Sequence, residues 1–209
     1  NVFLTGGAGY IGSHAALSLL DSGHQVHIVD NLSTGNETLI PKNAKFTNCN
    51  INDEKVISDL IQSNKFDLLM HFAGFIRVEE SVKHPDKYFE NNTDNAIKLF
   101  NICKKNGLNK IVFSSTAAAY GSVNENKLID ENTNLNPQNP YAESKIKTEN
   151  FLLKNQDNLK FIILRYFNVA GADKNLRSGQ ISRESTHLIK ILSEVVIGKR
   201  DHIEIYGND

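Results

Sequence analysis

Short apolar runs alternate with longer amphipathic segments along most of the chain. The runs lie at residues 2–5, 25–30, 45–49, 67–73, 110–115 and 160–167. They are almost continuously apolar, which is typical of parallel strands that helices cover on both faces. The pattern therefore predicts six strands of one buried sheet.

The segments between these runs carry helix start and stop signals. Helices are predicted over residues 10–22, 53–64, 85–106, 140–155 and 186–197. Pro85 and Pro140 stand in the first turn of two of them, and Gly23, Gly107 and Gly198 follow three of the ends. Alternating strands and helices predict a parallel sheet with right-handed crossovers, whose ligands bind beyond the carboxyl ends of the strands.

The fold class predicted by this pattern is α/β, with a doubly wound parallel sheet in residues 1–172. Residues 173–209 are expected to begin a smaller substrate-binding domain. The chain starts without Met inside an apolar run and stops where a strand enters a turn. We therefore expect the native protein to be longer at its C-terminus. Residues 121–139 form the longest predicted loop, which suits a binding loop or lid.

The composition of the chain argues against several classes of function. The formal net charge is -1, whereas nucleic-acid binding normally requires a basic excess. No window offers the ~18 apolar residues of a membrane span. Cys49 and Cys103 have no Cys or His at metal-ligand spacing, so no metal site is predicted. We expect a cytoplasmic protein without nucleic-acid or membrane partners.

A glycine-rich turn follows the first strand and opens the first helix. It reads Thr-Gly-Gly-Ala-Gly-Tyr-Ile-Gly at residues 5–12, with the key glycines at Gly6, Gly9 and Gly12. Asp30 ends the second strand, where an acidic residue accepts hydrogen bonds from a ribose. Its charge would repel a 2′-phosphate, so a Rossmann-type site for NAD is predicted. A purely structural turn with a capping Asp is the alternative.

Three polar residues suggest chemistry at the end of the fifth strand. Thr116 follows that strand, and Tyr141 and Lys145 are four residues apart, so they share one face of a helix. A phenol is a poor base at neutral pH, and a nearby ammonium lowers its pKa. Tyr141 would then remove a hydroxyl proton. Alone, this spacing also occurs at the edges of ordinary helices.

Several longer motifs identify a family resemblance. They are Val-Asp-Asn-Leu-Ser (29–33), His-Phe-Ala-Gly (71–74), Glu-Ser-Val (80–82), Ser-Ser-Thr-Ala-Ala-Ala-Tyr-Gly (114–121), Pro-Tyr-Ala-Glu-Ser-Lys (140–145), Leu-Arg-Tyr-Phe-Asn-Val-Ala-Gly-Ala (164–172) and Thr-His-Leu-Ile (186–189). With residues 5–14, they make the whole chain resemble the extended short-chain dehydrogenase/reductase family. Two departures are Ile76, where some members carry Lys, and Asn50, where Asp is common.

The resemblance implies a full set of site residues. With the glycines and Asp30, the NAD-binding residues are Gly6, Gly9, Tyr10, Ile11, Gly12, Asp30, Asn31, Asn50, Ile51, Phe72, Ala73, Gly74, Asn92, Ser114, Tyr141, Lys145, Tyr166 and Phe167. The substrate-binding residues are Thr116, Tyr141, Phe167, Asn168, His187, Leu188 and Tyr206. Thr116, Tyr141 and Lys145 are the catalytic residues.

The resemblance also implies the reaction and the assembly. The expected activity is NAD-dependent 4-epimerisation of a UDP-hexose through a 4-keto sugar, in a homodimer. Alternatives are 4-epimerisation of a UDP-N-acetylhexosamine or UDP-pentose, dehydration or decarboxylation of a nucleotide sugar, and a non-catalytic NAD-sensing module. Ala117 and Ala118 stand where dehydrating relatives carry acidic residues. An apolar stripe at Ala96, Leu99, Phe100 and Cys103 suits a dimer contact or packing on the sheet.

Overall fold

The computed structural model describes residues 1–123, 128–181, 187–205 and 207. Within them the strands are β1 (Val2–Thr5), β2 (Val26–Asp30), β3 (Lys45–Asn48), β4 (Leu68–His71), β5 (Lys110–Ser114) and β6 (Lys160–Leu164). They form one sheet in the order β3-β2-β1-β4-β5-β6, and every neighbouring pair is parallel. The predicted doubly wound parallel sheet is confirmed.

Helices cover both faces of this sheet. The helices are α1 (Tyr10–Asp21), α2 (Glu54–Asn64), α3 (Val78–Lys83), α4 (Pro85–Phe89), α5 (Asn95–Lys105), α6 (Pro140–Lys154) and α7 (Leu188–Val196). Successive strand residues point to opposite faces, so β1 places Phe3 in one core cluster and Leu4 in the other. The larger cluster holds α2, α5 and α6 against the sheet, and the smaller one holds α1.

The structure corrects several predicted boundaries. The strand predicted at residues 67–73 ends at His71, because the neighbouring strand β1 ends at Thr5, the residue that pairs with His71. The strand predicted to residue 167 ends at Leu164. The helix predicted over residues 85–106 consists of α4, a π-helical turn at Glu90–Asp94, and α5. Helix α3 was not predicted, since its six residues are too few to show a helical period.

The apolar stripe on α5 is part of the protein core. Ala96, Leu99, Phe100 and Cys103 are fully buried in the larger cluster, where they pack on the sheet. This contradicts their use as a dimer contact and supports the packing alternative. His71 is likewise a core residue. It is 1% exposed, its Nδ1 lies 2.7 Å from Thr5 Oγ1, and burial lowers its pKa to about 3, so it stays neutral.

The chain divides into two compact units, Asn1–Phe167 and Asn168–Asp209. The first contains the sheet. The second contains α7 and a turn at Asp173, whose carboxylate binds the Arg177 guanidinium at 2.8 Å. The predicted boundary lies after residue 172, and the assignment of residues 173–209 to substrate binding stays a prediction. No helix in the described part of the chain is long and apolar enough to cross a membrane.

Candidate active site

A cleft opens at the carboxyl edge of the sheet, where the strand order reverses. β1 and β4 are neighbours there, and the chain winds outward from them in both directions. The cleft has a volume of about 300 Å³, within the range of small-molecule and cofactor sites. Its lining includes Gly6, Gly9, Asp30, Asn31, Asn50, Ile51, Phe72, Ala73 and Gly74. The structure thus brings together nine of the predicted cofactor-binding residues.

The floor of the cleft is made by glycines that leave no room for a side chain. Gly6 has φ +78°, and a Cβ there would lie 2.4 Å from the Ala73 nitrogen. A Cβ on Gly12 would lie 2.2 Å from the Gly6 carbonyl oxygen. Helix α1 therefore starts directly against β1, with Gly9 as its N-cap. The start of such a helix favours a negatively charged ligand such as a phosphate.

Asp30 holds two loops of the cleft together. Its Oδ2 accepts a hydrogen bond from the Ala8 nitrogen at 3.0 Å, and its Oδ1 accepts one from the Leu32 nitrogen at 2.9 Å. The carboxylate is largely buried yet lines the cleft. Each oxygen keeps a second lone pair. Asp30 thus presents a fixed acceptor and a negative charge to the cleft.

Further polar residues line the cleft after β2 and β3. Asn31 Nδ2 donates to Asn50 Oδ1 at 2.8 Å, which fixes the amide of Asn50 beside Ile51. Other lining residues were not predicted from the sequence, namely Ser33, Thr34, Gly35, Cys49, Asn52, Phe75, Glu90, Asn91 and Asn95. Most of them follow the ends of β2 and β3, so their place at the carboxyl edge was the available signal.

The three candidate catalytic residues meet beside this cleft. Asn139 caps α6 by accepting a hydrogen bond from the Ala142 nitrogen at 2.9 Å, so the helix begins just before Tyr141. Lys145 lies one turn later, is 3% exposed, and donates from Nζ to the Ser114 carbonyl oxygen at 2.9 Å. Thr116 ends the segment after β5 and shares a side-chain hydrogen bond with Tyr141.

Gly74 connects the cleft to this catalytic group. A Cβ on Gly74 would lie 3.2 Å from Lys145 Nζ and 3.2 Å from Asn92 Oδ1. Lys145 is therefore directly behind the cleft lining. Asn92 does not line the cleft: its Oδ1 accepts from the Phe75 nitrogen at 2.9 Å, and its Nδ2 donates to the Phe75 oxygen and to Ser144. It fixes the Gly74–Phe75 segment from behind.

Burial controls the ionisation of the catalytic group. It raises the pKa of Tyr141, and the hydrogen bond with Thr116 opposes that rise. This corrects the expectation that Lys145 brings the phenol toward neutral pH, because in this structure desolvation has the larger effect. Burial also lowers the pKa of Lys145 to about 8, against the charge of Glu149, which raises it. Lys145 is thus poised near physiological pH.

The remaining predicted residues occupy varied positions. Ser114 Oγ is hydrogen-bonded to the Tyr166 hydroxyl, and Phe167 is 69% exposed. Tyr10 and Ile11 are half-buried in the first turn of α1. Three predicted substrate residues belong to the second unit, where Asn168 and Leu188 are exposed and His187 precedes α7. Tyr206 lies outside the described residues.

A buried charged cluster beside α6 was also missed. Glu149 has no exposed surface; it accepts a hydrogen bond from Ser115 Oγ and forms a two-pronged ion pair with Arg165. Arg165 also donates to the Tyr120 hydroxyl at 3.1 Å. The available signal was that Glu149 follows Lys145 by four residues, and that Arg165 precedes Tyr166.

Known proteins resemble this chain over its whole length. The chain is 42% identical to a UDP-glucose 4-epimerase from Azospirillum brasilense over 100% of this chain and 60% of that protein. Two solved structures of UDP-glucose 4-epimerases cover 99% of this chain. The one from Brucella ovis, in complex with NAD, has a TM-score of 0.94 at 34% identity over 64% of its own chain. The one from Bifidobacterium longum, in complex with NAD+ and UDP, has a TM-score of 0.90 at 32% identity over 65%.

The chain thus spans less than two thirds of the length of these relatives. The family model described as "NAD dependent epimerase/dehydratase family" matches residues 2–208, which is almost every residue. This match includes the glycine turn, the cleft and the group around Tyr141, and it confirms the family resemblance seen in the sequence. The chain therefore belongs to the NAD dependent epimerase/dehydratase family.

Proposed function

We propose that the protein is a UDP-hexose 4-epimerase that uses bound NAD and interconverts UDP-glucose and UDP-galactose. The observation that carries this proposal is that Lys145 lies directly behind Gly74 in the wall of a dinucleotide-type cleft, one helical turn from Tyr141, which is hydrogen-bonded to Thr116. A cofactor in the cleft would lie close to groups that suit removal of a hydroxyl proton. A non-catalytic NAD sensor would not require them.

The residues of the cleft fit NAD. Gly6 and Gly9 line the cleft without side chains, which favours close approach of a ligand's phosphates to the main chain, and Gly12 lets α1 pack closely on the turn. Asp30 supplies the acceptor for ribose hydroxyls, and its charge disfavours the 2′-phosphate of NADP. The similar structures from Brucella ovis and Bifidobacterium longum hold NAD, which supports the same cofactor here.

Tyr141 is proposed to move the proton of the sugar's C4 hydroxyl. Thr116 accepts a hydrogen bond from the Ala118 nitrogen at 3.1 Å, which leaves its hydroxyl proton to be donated to the Tyr141 oxygen or to the sugar. Lys145 lies on the same helix face, one turn after Tyr141. When bound, the nicotinamide supplies a reversible acceptor for the C4 hydrogen and its electron pair. Loss of both hydrogens leaves a 4-keto sugar.

The second half of the reaction restores the alcohol on the opposite face. The keto sugar must turn over before C4 is reduced, and Tyr141 then returns the proton to the C4 oxygen. The sugar ring therefore has to be held loosely, while the UDP portion is held firmly. We propose that residues 168–209, with Asn168, His187 and Leu188, begin the region that holds UDP. The Bifidobacterium relative, which binds UDP, supports this assignment.

Dehydration is disfavoured by the residues after Thr116. Eliminating water from a 4-keto sugar needs an acid and a base near C5 and C6. The turn at Ala117–Tyr120 begins with three alanines, of which Ala117 and Ala119 are buried. A methyl group neither donates nor accepts a proton, so the keto sugar is left to take its hydrogen back.

Product analysis tests the reaction. The full-length protein is incubated with UDP-galactose in heavy water, and the sugar is examined by NMR. We expect UDP-glucose without deuterium at C4 or C5, because the hydrogen returned to C4 never exchanges with solvent. A 4-keto-6-deoxy product, or deuterium at C5, would assign a dehydratase instead. No conversion in the presence of added NAD would contradict catalysis on this substrate.

We also propose a homodimer, which rests on the family resemblance. Because the predicted stripe on α5 is buried in the core, a dimer contact on α5 and α6 would need their outward residues, such as Ile97 and the half-exposed Leu153. A cytoplasmic location is proposed because Cys49 and Cys103 are unpaired. Sedimentation of the full-length protein at micromolar concentration tests the assembly, and a monomer would contradict it.

A further inference from the structure

The buried carboxylate of Glu149 lies where three elements of the candidate active site converge. Its two oxygens contact Arg165, with the Nε of Arg165 at 3.0 and 3.1 Å and the NH2 group at 2.5 Å. Ser115 Oγ donates to the same carboxylate. Glu149 itself belongs to α6, whereas Ser115 follows β5 and Arg165 follows β6.

Each partner of Glu149 is adjacent in sequence to a residue of the proposed reaction. Ser115 directly precedes Thr116, and Arg165 directly precedes Tyr166. On α6, Tyr141, Lys145 and Glu149 repeat every four residues, so the three side chains lie on one face of the helix. Two backbone hydrogen bonds join the same two segments. The Ser115 nitrogen donates to the Leu164 oxygen at 2.9 Å, and the Ala117 nitrogen donates to the Tyr166 oxygen at 3.1 Å. Glu149 adds the link from both segments to the helix.

We propose that Glu149 is a positioning residue, whose carboxylate holds Thr116 in register with Tyr141 and Lys145 by binding Ser115 and Arg165 together. A purely structural ion pair would be served by any buried pair of opposite charges. This one is placed one helical turn beyond Lys145 and ties the two strand ends that carry Thr116 and Tyr166. The inference rests on the proposed function, because it assigns Glu149 to the same reaction.

The charge of Glu149 has a second consequence at Lys145. The titratable or charged groups around Lys145 are Tyr141 and Glu149 on α6, His71 at the end of β4, and Arg165 and Tyr166 after β6. His71 is neutral above a pKa of about 3, which leaves Glu149 as the anion of the group. Its charge favours the ammonium form of Lys145. Replacing Glu149 by a neutral side chain should therefore lower the pKa of Lys145.

Glu149→Gln in the full-length protein separates positioning from simple structure. We expect kcat for UDP-galactose to fall at least tenfold, with KM changed less than twofold. The alkaline limb of the kcat profile should move to lower pH, because Lys145 then loses its proton more easily. Glu143→Gln is the matched control, since Glu143 is exposed on the same helix and should leave kcat, KM and the pH profile unchanged.

Ser115→Ala keeps the test decisive if Glu149→Gln does not fold. It removes only the hydroxyl that contacts Glu149, and we expect a threefold to tenfold lower kcat with KM and melting temperature almost unchanged. Wild-type kcat and pH profile in Glu149→Gln, or in Ser115→Ala when the first variant is unfolded, would overturn the role of Glu149 alone. A wild-type protein that does not convert UDP-galactose would contradict both this inference and the proposed function.

Discussion

The two sides of the candidate active site are built in opposite ways. On the β1, β2 and β4 side, Gly6 and Gly9 line the cleft with main chain, and Gly12 lets α1 pack closely on the glycine turn. On the β5, β6 and α6 side, the wall is filled by buried polar groups, among them Lys145 and Glu149. The first side exposes backbone groups that a ligand can contact. The second side leaves almost no space for a ligand.

This difference separates binding from chemistry. Backbone amides and a helix start offer fixed partial charges that suit phosphates and do not titrate. Buried ionisable groups do titrate, and desolvation shifts the pKa of each of them, as for Tyr141 and Lys145. Substitutions on one side should therefore change affinity, while those on the other should change turnover.

The largest expected effect is on the catalytic side. Tyr141→Phe keeps the ring and removes the ionisable hydroxyl. General base catalysis is typically worth about 10²–10⁴ in rate, so we expect kcat to fall by at least that order. NAD affinity, measured by calorimetry, should remain within threefold of wild type. Near-native turnover would show that another group moves the proton, and the comparison between the two sides would lose its basis.

A smaller effect is expected on the cleft side. In Gly12→Ala, the new methyl meets the Gly6 carbonyl oxygen, a backbone atom that cannot turn away. Overpacking of this kind typically costs about 1–3 kcal/mol of folding stability, so the melting temperature should fall. NAD affinity should fall as well, because the clash displaces Gly6, which lines the cleft. Ser18→Ala, exposed on the same helix, is the matched control for both measurements. Unchanged affinity in Gly12→Ala would mean that the ligand does not depend on this turn.

The smallest effect concerns the choice of cofactor. Asp30 places a negative charge at the cleft, and repulsion between like charges in a partly buried site supports a preference for NAD over NADP of at least about tenfold. Calorimetry on cofactor-free protein would measure both affinities. The preference should shrink as salt rises, because salt screens the repulsion. Equal affinities at low salt would contradict this role of Asp30.

The sequence predicted the cleft better than the buried cluster for a physical reason. Gly6, Gly9 and Gly12 form a local signal, because all three lie close together in the sequence and serve the same tight connection between β1 and α1. The six strands were likewise found from runs of adjacent apolar residues. Asp30 also followed directly from its place at the end of the second strand.

Other features depend on partners that are distant in the sequence. Glu149 reads as an ordinary helical glutamate until the fold places it against Ser115 and Arg165. Asn92 was assigned to the cofactor, yet its amide is used on Phe75 and Ser144 because a π-helical turn directs it there. The direction of the Tyr141 pKa shift was wrong for a similar reason, since burial is a property of the whole fold.

The pairing of β1 with β4 also determines when the cleft can exist during folding. Val2 pairs with Leu68, whereas the chain between them builds β2, β3 and two helices. Closing so long a segment costs chain entropy before its contacts form, and such non-local pairings are slow steps. The cleft is therefore present only in chains that have completed this closure. A ligand of the cleft therefore binds only to chains in which the sheet is complete, and its free energy of binding adds to the stability of that sheet.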